Sequence, residues 1–134
     1  MPPLKTLVVE DDPVALELIS QTLTLLGAEV TAKSDSVEAQ RLLNTIAFDA
    51  VFLDLEMPQL GGLELTQSIR RNGINRKSPI VVVTSHKDSQ HMDQAFKSGA
   101  TFVLYKPIDR EKLRKVLAML SNQSKVTPAG GASR

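Results

Sequence analysis

Hydrophobic positions along the chain follow two alternating rhythms. Short, largely β-branched runs at Leu4–Val9, Val30–Ala32, Ala50–Leu53, Pro79–Val83 and Phe102–Tyr105 have strand length and strand composition. The longer stretches between them carry apolar residues at helical spacing. The first helix is predicted to start at Asp12-Pro13, with Asp12 as cap and Pro13 in the first turn, and to stop at Gly27. Val14, Leu18, Leu25 and Leu26 are the expected inner face. Ser36 is the expected cap of a second helix, from Val37 to about Thr45. A third helix follows Gly61-Gly62, from Leu63 to Arg71, and ends near Gly73. A fourth runs from Ser89 to Lys97, closed by Gly99. A fifth follows Asp109 and brings Leu113, Val116, Leu117 and Leu120 onto one side. Strict β–α alternation predicts an α/β fold, a parallel sheet with helices on both faces. Right-handed crossovers suit a doubly wound five-stranded sheet.

Composition narrows the function classes. With 134 residues the chain has the size of one domain. Residues 1–121 carry the pattern; 122–134 are small and polar and read as a flexible tail or truncated linker. Sixteen basic residues against 15 acidic leave a net charge of +1, so nothing electrostatic argues for nucleic acid or an anionic membrane. The absence of cysteine excludes disulfides, thiolate metal sites and thiol catalysis. No apolar run approaches the ~20 residues of a membrane span. The start of the chain lacks a signal-peptide core, which makes the cytoplasm the default location.

The chemistry sits where strands end. Glu10-Asp11-Asp12 follows the first strand, Asp54 closes the third, Thr84 closes the fourth and Lys106 follows the fifth. Carboxyl ends of strands in an open α/β sheet meet at the ligand-binding crevice. Carboxylates gathered there repel one another and favour a hard cation such as Mg2+, which takes oxygen ligands and bridges to phosphate. Asp11, Asp54 and the backbone carbonyl of Glu56 are the expected direct ligands, with Glu10 acting through water. Asp54 is the candidate nucleophile toward phosphorus, Lys106 a point charge for a phosphoryl oxygen, and the Thr84 hydroxyl a donor to another. Singly, each is also an ordinary turn, cap or solvated residue. Their joint occurrence at four strand ends carries the reading.

In these motifs the chain resembles the receiver domain of two-component response regulators. The residues concerned are Leu7-Val8-Val9-Glu10-Asp11-Asp12-Pro13, Phe52-Leu53-Asp54-Leu55-Glu56-Met57-Pro58 with Gly61-Gly62, Val83-Thr84-Ser85, Gly99-Ala100 and Lys106-Pro107. The resemblance spans about residues 4–121 and implies the flavodoxin-like strand order 2-1-3-4-5. It implies phosphorylation of Asp54 by a histidine kinase or histidine phosphotransfer protein, with Mg2+ (or Mn2+) required. It further implies Glu10 and Asp11 as the acidic pair, Thr84 as switch hydroxyl, Lys106 as phosphate-binding lysine and a cis peptide before Pro107. The implied output is a contact with a downstream protein through the fourth and fifth helices, where Lys97, Lys112 and Lys115 lie, or a phosphorylation-dependent dimer, without direct nucleic-acid or membrane binding.

One departure stands out. The family often carries an aromatic residue three positions before the lysine; here that position is Val103, flanked by Phe102 and Tyr105. Coupling between phosphorylation and output is therefore expected to differ or to be weak. Glu56 and His86, each two residues past a site residue, are expected to tune dephosphorylation. His91 is assigned to the helix surface. A phosphoacceptor module with self-catalysed dephosphorylation is thus expected, rather than an enzyme. An aspartyl phosphohydrolase would carry Asp where Glu56 stands, and a nucleotide site would need a glycine-rich first turn.

Overall fold

The computed structural model of the chain describes residues 3–71 and 73–126. Five strands, β1 (Lys5–Val9), β2 (Glu29–Lys33), β3 (Ala50–Asp54), β4 (Ile80–Thr84) and β5 (Phe102–Tyr105), alternate with five helices. These are α1 (Pro13–Leu25), α2 (Ser36–Leu43), α3 (Gly62–Arg71), α4 (Ser89–Ser98) and α5 (Arg110–Val126). All strand pairs are parallel, in the order β2-β1-β3-β4-β5. The expected doubly wound α/β architecture is the one observed. The chain reverses direction of travel across the sheet between β1 and β3, and a crevice opens there.

The central strands read as unbroken apolar runs because both faces of the sheet are covered. Alternation divides them. Leu7, Val9, Val51, Leu53, Ile80 and Val82 pack toward α2, α3 and α4 through Ala39, Leu43, Leu65, Ile69 and Ala95. Val8, Ala50, Phe52 and Val81 pack toward α1 and α5 through Ile19, Leu23, Leu113, Val116, Leu117 and Leu120. The face predicted for the fifth helix is the buried one.

The expected inner face of the first helix is not. Val14, Leu18 and Leu25 are 74%, 54% and 75% exposed. Of the expected residues Leu26 packs against the core; Ile19 and Leu23 are buried in place of the others, with Leu16 beside them. Two apolar stripes run along this helix at the same spacing, and the period alone does not say which one meets the sheet. Asp35, not Ser36, caps α2: its carboxylate accepts from the amides of Val37 (2.8 Å) and Glu38 (3.3 Å). Ser36 is buried in the first turn. Asp12 caps α1 as expected, and Gly99 closes α4 at a left-handed φ of 118°. The polar stretch expected to be tail from residue 122 continues α5 to Val126. The rest of that stretch lies outside the described residues.

Candidate functional site

Strand geometry delivers the candidate residues to one place. β1 and β3 lie side by side, so Glu10, the residue after Val9, and Asp54, the last of β3, meet at the same sheet edge. Both are buried, at 1% and 6% exposure, whereas Asp11 is exposed. The carboxylates of Glu10, Asp11 and Asp54 can bring one oxygen each within 4.8 Å of the others. From the far edge of the sheet, Lys106 reaches past the end of β4. Its ammonium lies 3.1 Å from Glu10 Oε1 and 3.5 Å from Asp54 Oδ1. Its amide donates to the Thr84 carbonyl at 2.8 Å, and the peptide to Pro107 is cis. Thr84 is 2% exposed, with its hydroxyl accepting from the His86 amide at 3.0 Å.

Electrostatics mark this corner as strained in charge. Burial, and then the neighbouring charge of Asp54, push the Glu10 carboxyl from 4.5 up to about 7. The Asp12 amide and Lys106 pull the other way without cancelling the rise. Burial also raises Asp54, opposed chiefly by the Lys106 charge. Burial disfavours the Lys106 ammonium, yet the hydrogen bond it donates to Glu10 and the two carboxylate charges outweigh that and hold its pKa above the ordinary value. Glu10 Oε1 is fully buried and faces the Lys106 ammonium at 3.1 Å. One ammonium is shared between two buried carboxylates, with the Asp11 carboxylate beside them. That donor set, all carboxylate and short of positive charge, fits a hard divalent cation.

The loops around the crevice are held tightly. The Gly62 amide donates to the Leu55 carbonyl at 2.9 Å, folding the β3–α3 loop back over the strand end. A Cβ on Gly62 would lie 2.7 Å from Leu55 Cα and 2.8 Å from its carbonyl oxygen, so only glycine fits. Gln59, in the same loop, takes a left-handed φ of 64°.

Outside the crevice, the Glu56 side chain is exposed and pairs with His86 Nε2. Val103 packs against the α2–α3–α4 side of the core. Tyr105 stands opposite Thr84 in the sheet, and its hydroxyl is buried without a hydrogen-bond partner. Lys112 donates to the carbonyls of Tyr105 and Pro107, both at 3.0 Å, so it fastens the β5–α5 turn. Lys97 pairs with Asp93 at 3.0 Å. His91 is more than a surface residue. Its ring stacks on His86 with centroids 4.1 Å apart, and its Nδ1 lies 2.7 and 2.8 Å from the two oxygens of Asp88. Sequence reading missed this pairing. The available signal was Asp88 as a cap three residues before His91, a spacing that folds the two together.

Fold and crevice together are those of a signalling domain of the two-component type. More specifically, the chain belongs to the response regulator receiver domain family, whose model matches residues 6–118. It is 32% identical over 123 residues to the sensor histidine kinase RcsC of Salmonella typhi, covering 92% of this chain and 13% of the kinase. It is 31% identical over 126 residues to the DNA-binding dual master transcriptional regulator RpaA of Synechocystis, covering 93% of this chain and 52% of the regulator. The chain thus spans between about an eighth and about half of these relatives. Among solved structures, the receiver domain of the sensor histidine kinase PA1611 from Pseudomonas aeruginosa superposes with a TM-score of 0.83 at 29% identity, covering 90% of this chain and 98% of that one. That structure has a magnesium ion in its active-site cleft. The chemotaxis protein CheY4 of Vibrio cholerae gives the same TM-score and identity over 88% of this chain and 98% of its own. Among the described residues, no helix is long and apolar enough to cross a membrane.

Proposed function

We propose that Asp54 accepts a phosphoryl group from a phosphohistidine on a histidine kinase or phosphotransfer protein. The observation that carries this reading is the ammonium of Lys106 set between buried Glu10 and Asp54, with buried Thr84 at the end of the neighbouring strand β4. An Asp54 carboxylate oxygen attacks phosphorus, the P–N bond to the donor imidazole breaks, and that nitrogen keeps the bonding electron pair. Mg2+, when bound, neutralises the carboxylates and draws charge from the transferring oxygens. Glu10, Asp11, Asp54 and the Glu56 carbonyl would hold it; Mn2+ is the expected substitute. Lys106 then exchanges its contact with Asp54 for a phosphoryl oxygen. Thr84 leaves the His86 amide to donate to another oxygen, which transmits the event to the β4–α4 loop. Each such charge-assisted bond is worth ~1.5–3 kcal/mol, enough to shift a local two-state equilibrium.

The signal leaves through protein contact. Val103 occupies the position where a switch aromatic is common, so coupling to the α4–α5 side is expected to be weak or differently routed. The Glu56–His86 pair joins the loops that follow β3 and β4 and is assigned to tuning phosphoryl lifetime. Beryllofluoride, a phosphoryl mimic, tests the reading. With Mg2+ it should shift the amide resonances around Thr84, His86 and Lys106, and Asp54→Asn should abolish the shift. An unchanged spectrum of the folded wild-type protein would overturn it.

A further inference from the structure

A second group of metal-ligating side chains stands outside the acidic crevice. His86, Asp88 and His91 each offer one ligand atom, and those atoms lie within 4.8 Å of one another. Glu56 joins them from the neighbouring loop through its pair with His86. Two imidazoles and two carboxylates differ in kind from the all-carboxylate crevice. Imidazole nitrogen favours Zn2+, Co2+, Ni2+ and Cu2+, whereas Mg2+ favours oxygen. We propose that Glu56, His86, Asp88 and His91 form a second cation site, selective for a divalent transition metal.

The geometry allows it with modest rearrangement. Ligand atoms around a tetrahedral ion with bonds of about 2.0–2.1 Å sit about 3.3 Å apart; those of His86, Asp88 and His91 already lie within 4.8 Å of one another, so small side-chain rotations bring them into range. The two rings lie stacked with planes 9° apart. Parallel stacked rings cannot both aim their in-plane lone pairs at one ion, so binding turns the rings out of the stack. Every side chain concerned is at least about one-third exposed and has room to turn. Asp88 caps α4 and His91 sits in its first turn, so both ride on a fixed backbone. His86 and Glu56 come from loops either side of the crevice. A bound ion would therefore clamp the β3–α3 loop to the β4–α4 loop. The His86 amide holds the Thr84 hydroxyl, so the clamp acts on the segment that the proposed phosphoryl switch must move. That consequence rests on the phosphorylation reading; the binding itself does not.

Co2+ titration of the whole chain, followed by visible absorption with millimolar Mg2+ present to fill the crevice, tests the site. One equivalent is expected to bind to wild type with a ligand-field spectrum containing nitrogen donors. Asp54→Asn should bind equally, because the crevice takes no part. His91→Ala should weaken binding by at least about tenfold. Asp88→Asn, which keeps a good helix cap and so keeps the fold, should weaken it as well. Absence of binding to wild type, binding indifferent to both His91→Ala and Asp88→Asn, or binding lost in Asp54→Asn would overturn the proposal. Because the Asp54→Asn arm cannot be phosphorylated, failure of the phosphoacceptor reading leaves this test intact.

Discussion

Replacing Glu10 by Gln should flatten the stability of the metal-free protein against pH. Glu10 is 1% exposed, and its carboxyl is raised from 4.5 to about 7 by burial first and by the Asp54 charge second. A folded-state pKa above the unfolded value means that the folded protein keeps a proton the unfolded chain releases. Stability is then lost as pH rises: the loss begins near 4.5 and is complete above about 7. That span, at ~1.36 kcal/mol per pH unit, sets a ceiling of about 3 kcal/mol. Gln keeps the shape and cannot ionise. In EDTA at pH 8 the Glu10→Gln protein should therefore exceed wild type by up to about 3 kcal/mol, with a difference near zero at pH 4.5. Asp54 is raised too and gives both proteins a slope of the same sign; because the two carboxyls face each other, the difference between the proteins reports Glu10 together with its effect on Asp54. Urea unfolding followed by far-UV circular dichroism between pH 4.5 and 8.5 measures it. Millimolar Mg2+ should stabilise wild type more at pH 8 than at pH 4.5, because the cation binds carboxylates and not carboxylic acids. Parallel stability curves for the two proteins, or a variant weaker than wild type at pH 8, would refute the argument.

Three structural substitutions follow from the contacts around the crevice and core. Gly62→Ala drives a methyl group into Leu55 backbone and should cost about 3 kcal/mol, read from the urea midpoint. Asn75→Ala should cost a similar amount, about 3 kcal/mol, because the buried amide serves the Leu43 and Ile46 carbonyls (2.7 Å each) and the Phe48 amide (2.8 Å), all left unpaired without it. Tyr105→Phe removes a buried hydroxyl that has no partner and should leave stability unchanged or raise it by about 1 kcal/mol, seen in the thermal midpoint.

Much of this molecule could be read from the chain because both layers of information repeat. Strands buried on two faces advertise themselves as apolar runs, and the chemistry sits at their ends. Glu10, Asp54, Thr84 and Lys106 were therefore legible by position as well as by type. Where two solutions share one period, the sequence is silent. Val14, Leu18 and Leu25 are as well spaced for a core as Leu16, Ile19 and Leu23, and only the packed sheet decides between them. Ser36 and Asp35 are both good caps standing side by side, and the choice depends on which carries the extended backbone. Polar residues that act across long separations leave no local pattern at all. Asn75 stitches the α2–β3 connection from about 30 residues away. Arg70 binds the carbonyls of Arg76, Ser78 and Gly99 and the Thr101 hydroxyl. The stacking of His86 on His91 belongs to the same class: it exists only once β4 and α4 are in place.

The central claim is that Asp54 accepts a phosphoryl group with help from a cation in the crevice. Intact mass after incubation with acetyl phosphate tests it most directly, run with Mg2+, with EDTA, and on Asp54→Asn. The account predicts a gain of one phosphoryl group in wild type with Mg2+ only, and none in either control. No gain in the folded wild-type protein, or a gain that survives EDTA or Asp54→Asn, would contradict it.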